Sequence, residues 1–102
     1  MSEEAETITK EGELARKLSI AGDSTRLKIL VLMFDWKQGC VSSVAEATET
    51  SVATASYHLN LMADNGFFRR NRDGQTICYQ LVDSTFIACL EKMVNRSSSI
   101  SD

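Results

Sequence analysis

Long apolar runs are missing from this 102-residue chain: none approaches the ~20 residues that a membrane span requires, and the acidic N-terminus lacks the basic and hydrophobic regions of a signal peptide. A cytoplasmic protein with no membrane association is therefore expected. Metal-type cysteine spacing is also missing. Cys40, Cys78 and Cys89 form an odd set without C-x-x-C, which argues against a secreted disulfide framework and makes free thiols the default. Catalytic signatures are absent as well: with one histidine and no Gly-rich phosphate loop, H-E-x-x-H or nucleophile elbow, no catalytic constellation can be assembled. Neither an enzyme nor a bound cofactor is expected.

What is present centres on Thr50 to Leu81. Ser51 can cap a helix by accepting from the amide of Ala53 or Thr54, and Gly66 can close it in the left-handed conformation. At 100° per residue, Ala55, Leu59 and Met62 share an apolar face, while Ala53, Tyr57, Asn60 and Asp64 share a small, polar one. After Gly66 the period becomes two, with Ile77, Tyr79 and Leu81 alternating against Thr76, Cys78 and Gln80. Asp73-Gly74 fits a two-residue type I′ turn. The hairpin carries Arg69, Arg70 and Arg72 and is too small to stand without helices beneath it. A helix fit for a DNA groove followed by a cationic hairpin is a winged helix-turn-helix.

The net charge of −3 seems to oppose nucleic acid, yet Met1 to Glu13 holds five glutamates and one lysine; removing that −4 leaves the remainder at +1. What matters is where positive charge sits, and it sits on the hairpin. The length suits one domain, small enough for dimerisation to help bury apolar surface.

Along the chain, residues 1–9 read as a flexible acidic arm. A helix is expected over Lys10 to Ala21, with Leu14, Leu18 and Ala21 on one side. Asp23 or Ser24 then caps a helix from Thr25 to about Trp36, apolar around most of its circumference and expected to be buried. Lys37 to Gly39 reads as a turn and Cys40-Val41 as a short edge strand. Ser43 and Glu46 have capping-box spacing for a short helix through Thr48. With the following helix it makes the helix-turn-helix. Asp83 is placed as the cap of a last helix from Ser84 to about Arg96, with Phe86, Ile87, Leu90, Met93 and Val94 as its stripe. The terminal helices could together form a two-fold interface. The tail 97–102 is expected to be disordered. The fold class is thus mainly α with a small β-hairpin: about five helices plus a two- or three-stranded wing, dimeric, with the domain over residues 10–96.

For DNA contact the candidates are Ala53, Thr54, Ser56, Tyr57 and Asn60 in the major groove, where short side chains allow close approach and Asn60 can pair with adenine. Arg69, Arg70, Arg72 and Gln75 would meet phosphate or the adjacent minor groove. A histidine placed like His58, at the edge of the inward face, is read as structural. The alternative class is a winged-helix module that meets protein, for which salt would hardly change affinity.

Four segments carry a family resemblance: Ala21-Gly-Asp-Ser-Thr-Arg-Leu-Lys-Ile-Leu, Cys40-Val-Ser-Ser-Val-Ala-Glu-Ala, Ser51-Val-Ala-Thr-Ala-Ser-Tyr-His-Leu and Arg72-Asp-Gly-Gln-Thr-Ile-Cys-Tyr-Gln-Leu. In order and spacing, over about residues 14 to 95, the chain resembles the ArsR/SmtB repressors. Ser24 stands where the family often has proline, and Ser43 where it often has aspartate. The resemblance implies a homodimeric repressor on an imperfectly palindromic double-stranded DNA operator, released by a small inducer whose identity the sequence does not give. Soft-metal members carry C-V-C where Cys40-Val41-Ser42 stands, so the second ligand is replaced. In the family's last-helix site Asp83 matches, but Thr85, Arg96 and Ser99 replace the other ligands, so no metal site is expected. Sensing, if the cysteines serve it, falls to Cys40, Cys78 and Cys89 by disulfide, persulfide or thiophilic chemistry. The bland reading makes all three small apolar fillers.

Overall fold

The structure, a computed structural model, describes residues 9–101 in backbone and 9–96 in side chain. Residues 1–8 of the expected arm, and Asp102, lie outside the described residues. Among the described residues the elements are α1 (Lys10–Ala21), α2 (Ser24–Trp36), β1 (Gln38–Cys40), α3 (Val41–Thr48), α4 (Val52–Asp64), β2 (Phe68–Asp73), β3 (Thr76–Leu81) and α5 (Thr85–Ser101). None of these helices is long and apolar enough to cross a membrane.

Local chemistry sets the helix ends. Thr9 caps α1 by accepting from the amide of Gly12, and Asp23 caps α2 by accepting from that of Arg26 at 3.0 Å. Lys37, at φ 71°, alone makes the turn out of α2. Gln38 and Gly39, expected in that turn, instead pair with Gln80 and Tyr79. Gly39 sits at a close approach: a Cβ there would lie 3.1 Å from both the Trp36 ring and the Val44 side chain, which would have to yield slightly. Helix α3 begins directly after Cys40, two residues before the expected capping box, and no side chain caps it. Glu49, at φ 58°, turns the chain toward α4, and the Thr50 amide bonds back to the Ala45 carbonyl.

The sheet is antiparallel in the order β1-β3-β2, so β3 is its middle strand. Asp73 pairs with Thr76. The turn is therefore Gly74-Gln75 rather than Asp73-Gly74. Only Gly74 has positive φ (67°), which is the sign pattern of a type II′ rather than a type I′ hairpin. The start of α5 also differs from expectation: the Ile87 amide bonds to Ser84 Oγ, so Ser84, not Asp83, caps it. The backbone of α5 continues to Ser101, past the expected end near Arg96 and through the stretch expected to be disordered. No glycine or proline occurs there to stop it.

Ile29, Leu30 and Met33 of α2, Val44 of α3, Leu59 and Met62 of α4, Phe67, and Tyr79 of β3 are the largest fully buried side chains. Burying each aliphatic one stabilises the fold by about 1.5–3 kcal/mol. Ile87 and Leu90 of α5 close the core from the other end. Not every expected core position is inside. Leu27 and Val31 of α2, one helical turn apart, are exposed; Leu14 and Leu18 of α1 and Met93 of α5, on the stripes read as a possible two-fold interface, are exposed too.

Candidate nucleic-acid interface

Helix α4 is fixed at its first turn by Ser51, whose Oγ accepts from the Thr54 amide at 3.0 Å. Its inward face is Ala55, Leu59 and Met62, all fully buried, so the opposite face must point away from the core. Ala53 and Thr54 are exposed there. Tyr57 is 62% exposed, its ring edge-on to His58. Ser56 is half-buried.

A groove of about 290 Å³ separates this helix from the hairpin tip, with Ser42, Val52 and Ser56 on one wall and Gln75, Thr76 and Ile77 on the other. The sequence reading did not single out Ser42, Val52 or Thr76. Val52 is 56% exposed at the start of α4, and an apolar side chain outside the inward stripe was the available signal.

Asn60 and Arg70, both expected to face DNA, are held by other protein groups. Asn60 Oδ1 accepts from the Tyr79 hydroxyl at 2.7 Å and from Arg70 Nε at 3.0 Å. Arg70 also donates to the Asn60 carbonyl at 3.3 Å and forms an ion pair with Asp64. The hydrogen bond that Arg70 donates to the Asp64 carboxylate is the main cause that raises the Arg70 pKa. Burial raises that of the Tyr79 phenol, while Arg70 opposes it. These contacts fasten the hairpin to α4. The Arg70-Asp64 pair is exposed, and such pairs contribute little to stability, so the link matters for position more than for energy.

The remaining wing cations do not form one patch. Arg72 pairs with Ile77, and Arg70 with Tyr79, whereas Arg69 pairs with Gln80. Because side chains alternate along a strand, Arg70 and Arg72 share the face turned toward α4, and Arg69 lies on the other. Both Arg69 and Arg72 are exposed, as is Gln75.

His58 is half-buried with Nδ1 3.2 Å from Arg26 Nη1. Burial, then the Arg26 charge, pushes its pKa below the ordinary value, with Asp23 opposing. A neutral ring accepting from the guanidinium fits this geometry. Cys40 and Cys78, expected as free thiols, are cross-strand partners joined by a disulfide, with Cα atoms 3.8 Å apart. Cys89 is a free thiol, exposed on α5. Among the described residues no group of three or more His, Cys, Asp or Glu side chains could hold a metal ion.

Residues 23–68 match the profile of the bacterial regulatory proteins of the arsR family. Over 80 residues the chain is 32% identical to a cadmium resistance transcriptional regulatory protein CadC homolog of Staphylococcus aureus, covering 78% of this chain and 66% of the relative. The match thus spans just under two thirds of that relative's length. The crystal structure of the AntR antimony-specific transcriptional repressor superposes with a TM-score of 0.80 at 26% identity, covering 93% of this chain and 87% of the other. The solution structure of a homodimeric winged helix-turn-helix DNA-binding domain from Mycobacterium bovis gives 0.72 at 25% identity, over 86% and 80%.

Proposed function

From a chain that belongs to the arsR family of bacterial regulatory proteins, we infer a cytoplasmic, homodimeric transcriptional repressor that binds duplex DNA. The observation that carries this reading is the groove between α4 and the hairpin tip. It sets the short, exposed side chains of α4 beside a ribbon carrying Arg72 and Gln75 at a fixed spacing. Ala53, Thr54 and Tyr57 enter the major groove, where Thr54 or Ala53 can touch a thymine methyl. Ser56, beside Asn60 at the groove wall, contacts DNA at its margin. Arg69, Arg72 and Gln75 meet the flanking backbone. Asn60 and Arg70 serve chiefly by fixing the angle between helix and wing, and reach DNA only if that network opens. The homodimeric relative and the exposed apolar positions on α1, α2 and α5 support a two-fold assembly on paired half-sites.

Cadmium and antimony appear in the names of relatives. The residues here do not fit a comparable metal site: Cys40 and Cys78 are bonded to each other, and no third ligand joins them among the described residues.

The test is fluorescence anisotropy on a panel of short duplexes over a salt series. Arg72→Ala should weaken binding to every duplex and lower the salt slope by about one. Tyr57→Ala should instead change the ranking of sequences. Equal losses on all sequences from Tyr57→Ala would remove base readout from α4. Affinity indifferent to salt would point to a protein partner instead.

A further inference from the structure

The disulfide has a position that gives it access and leverage. Both cysteines are half-buried and line a surface cleft of about 480 Å³ together with Trp36, Gln38, Ser43 and Asn71. The cleft is large enough to admit a small thiol beside them. Cys40 is the last residue of β1 and the N-cap of α3, with no residue between strand and helix. Cys78 precedes Tyr79, the residue whose hydroxyl anchors the wing to α4. Strand β1 has only three residues, and the S–S bond adds a covalent tie between the root of α3 and the middle strand to that short pairing.

We propose that Cys40 and Cys78 form a reversible thiol–disulfide site, served through this cleft by low-molecular-weight thiols and disulfides, whose state sets how firmly the wing is held to the helix-turn-helix. In the oxidising direction, Cys40, at the positive end of α3 where an anionic sulfur is favoured, attacks one sulfur of a small disulfide. A mixed disulfide forms and one small thiolate leaves, taking up the proton that Cys40 gave. Cys78 then attacks the Cys40 sulfur of the mixed disulfide. The second small thiolate departs and takes up the Cys78 proton. Two protein thiols have lost two electrons and two protons, and the small disulfide has become two thiols. Reduction by two small thiols is the reverse.

The coupling of this site to DNA rests on the repressor reading; the exchange does not. The experiment uses the full chain with Cys89→Ser to remove the third thiol. It is equilibrated in buffers of varied glutathione to glutathione disulfide ratio, quenched with acid, alkylated with N-ethylmaleimide and weighed intact. The expected result is a reversible change from two alkylated cysteines to none, with Cys78→Ser trapping one glutathione on Cys40. A pair that stays wholly bonded or wholly reduced in the folded protein at every ratio would overturn the site.

Hydrogen exchange then reads the leverage without DNA: amides of residues 38–40 and 78–80 should lose protection on reduction, and equal protection would overturn the coupling. On a mixed-sequence duplex the bonded form should bind about fivefold tighter, because less ordering is left to binding. The difference should vanish in Cys40→Ser/Cys78→Ser. Equal affinity, or tighter binding by the reduced form, would also overturn the coupling. Failure of both forms to bind any duplex at low salt would count against the repressor reading, while exchange and protection would still judge the site.

Discussion

The single histidine gives the clearest pH signature at the scale of one residue. His58 has a folded-state pKa below the ordinary 6.5, from burial first and the Arg26 charge second. As pH falls, the unfolded chain therefore takes up this proton before the folded one does. Its contribution to stability is present above the unfolded value and is lost as pH falls through the folded one. The urea midpoint should drop as pH falls through the ordinary histidine value and below it. His58→Gln should flatten that segment of the profile; an unchanged profile would assign the dependence to other groups. The histidine's place at the margin of the inward face was legible in the i, i+4 pattern of Ala55, Leu59 and Met62. Its partner was not, because Arg26 lies 32 positions away and meets it only once the fold brings the start of α2 beside α4. Asn60 teaches the same lesson: its polar face was visible in the sequence, but the claim of Tyr79 and Arg70 on its Oδ1 depended on how the hairpin folds back.

Among the elements, those bounded by local chemistry were the ones the sequence predicted well. Lys10–Ala21 is stopped by Gly22, though its cap Thr9 was read as part of the arm, and Val52–Asp64 begins at Ser51 and ends at Asn65 just before Gly66, so propensity and local signals agree. Boundaries moved where two neighbouring residues could do the same job. Gly74 can sit first or second in a turn, and Asp83 and Ser84 can each cap a helix. Strand β1 was least legible because three residues carry no periodicity, and its pairing with β3 is a long-range event. That same pairing brings Cys40 to Cys78, which is why spacing alone left the cysteines unpaired. The tightness of this element is testable at Gly39. Gly39→Ala forces a methyl against Trp36 and Val44, and overpacking of this kind costs about 1–3 kcal/mol. A melting temperature within a degree of wild type would mean that Trp36, itself 38% exposed, swings aside freely.

For the whole molecule the informative surface is the apolar one left outside. Leu14 and Leu18 are 48% and 47% exposed, and Met93 is 60% exposed. Helix α1 buries Ile20 and Ala21 at its end in its own core but leaves Leu14 and Leu18 to solvent, as expected of a chain that completes its burial with a second copy. Leu18→Glu should yield a monomer by analytical ultracentrifugation with helix content unchanged, and duplex affinity should fall as one half-site is lost. A variant that remains dimeric would move the interface away from α1. The missing connector between β1 and α3 has a further bearing on such an assembly. With no slack at that junction, a tilt of one strand end is inherited by the helix that follows, and in a symmetric pair it is inherited twice, in opposite senses about the axis. The distance between the two reading heads then changes by double the local displacement, so the loss of one small bond at that junction can spoil the match to a rigid double helix.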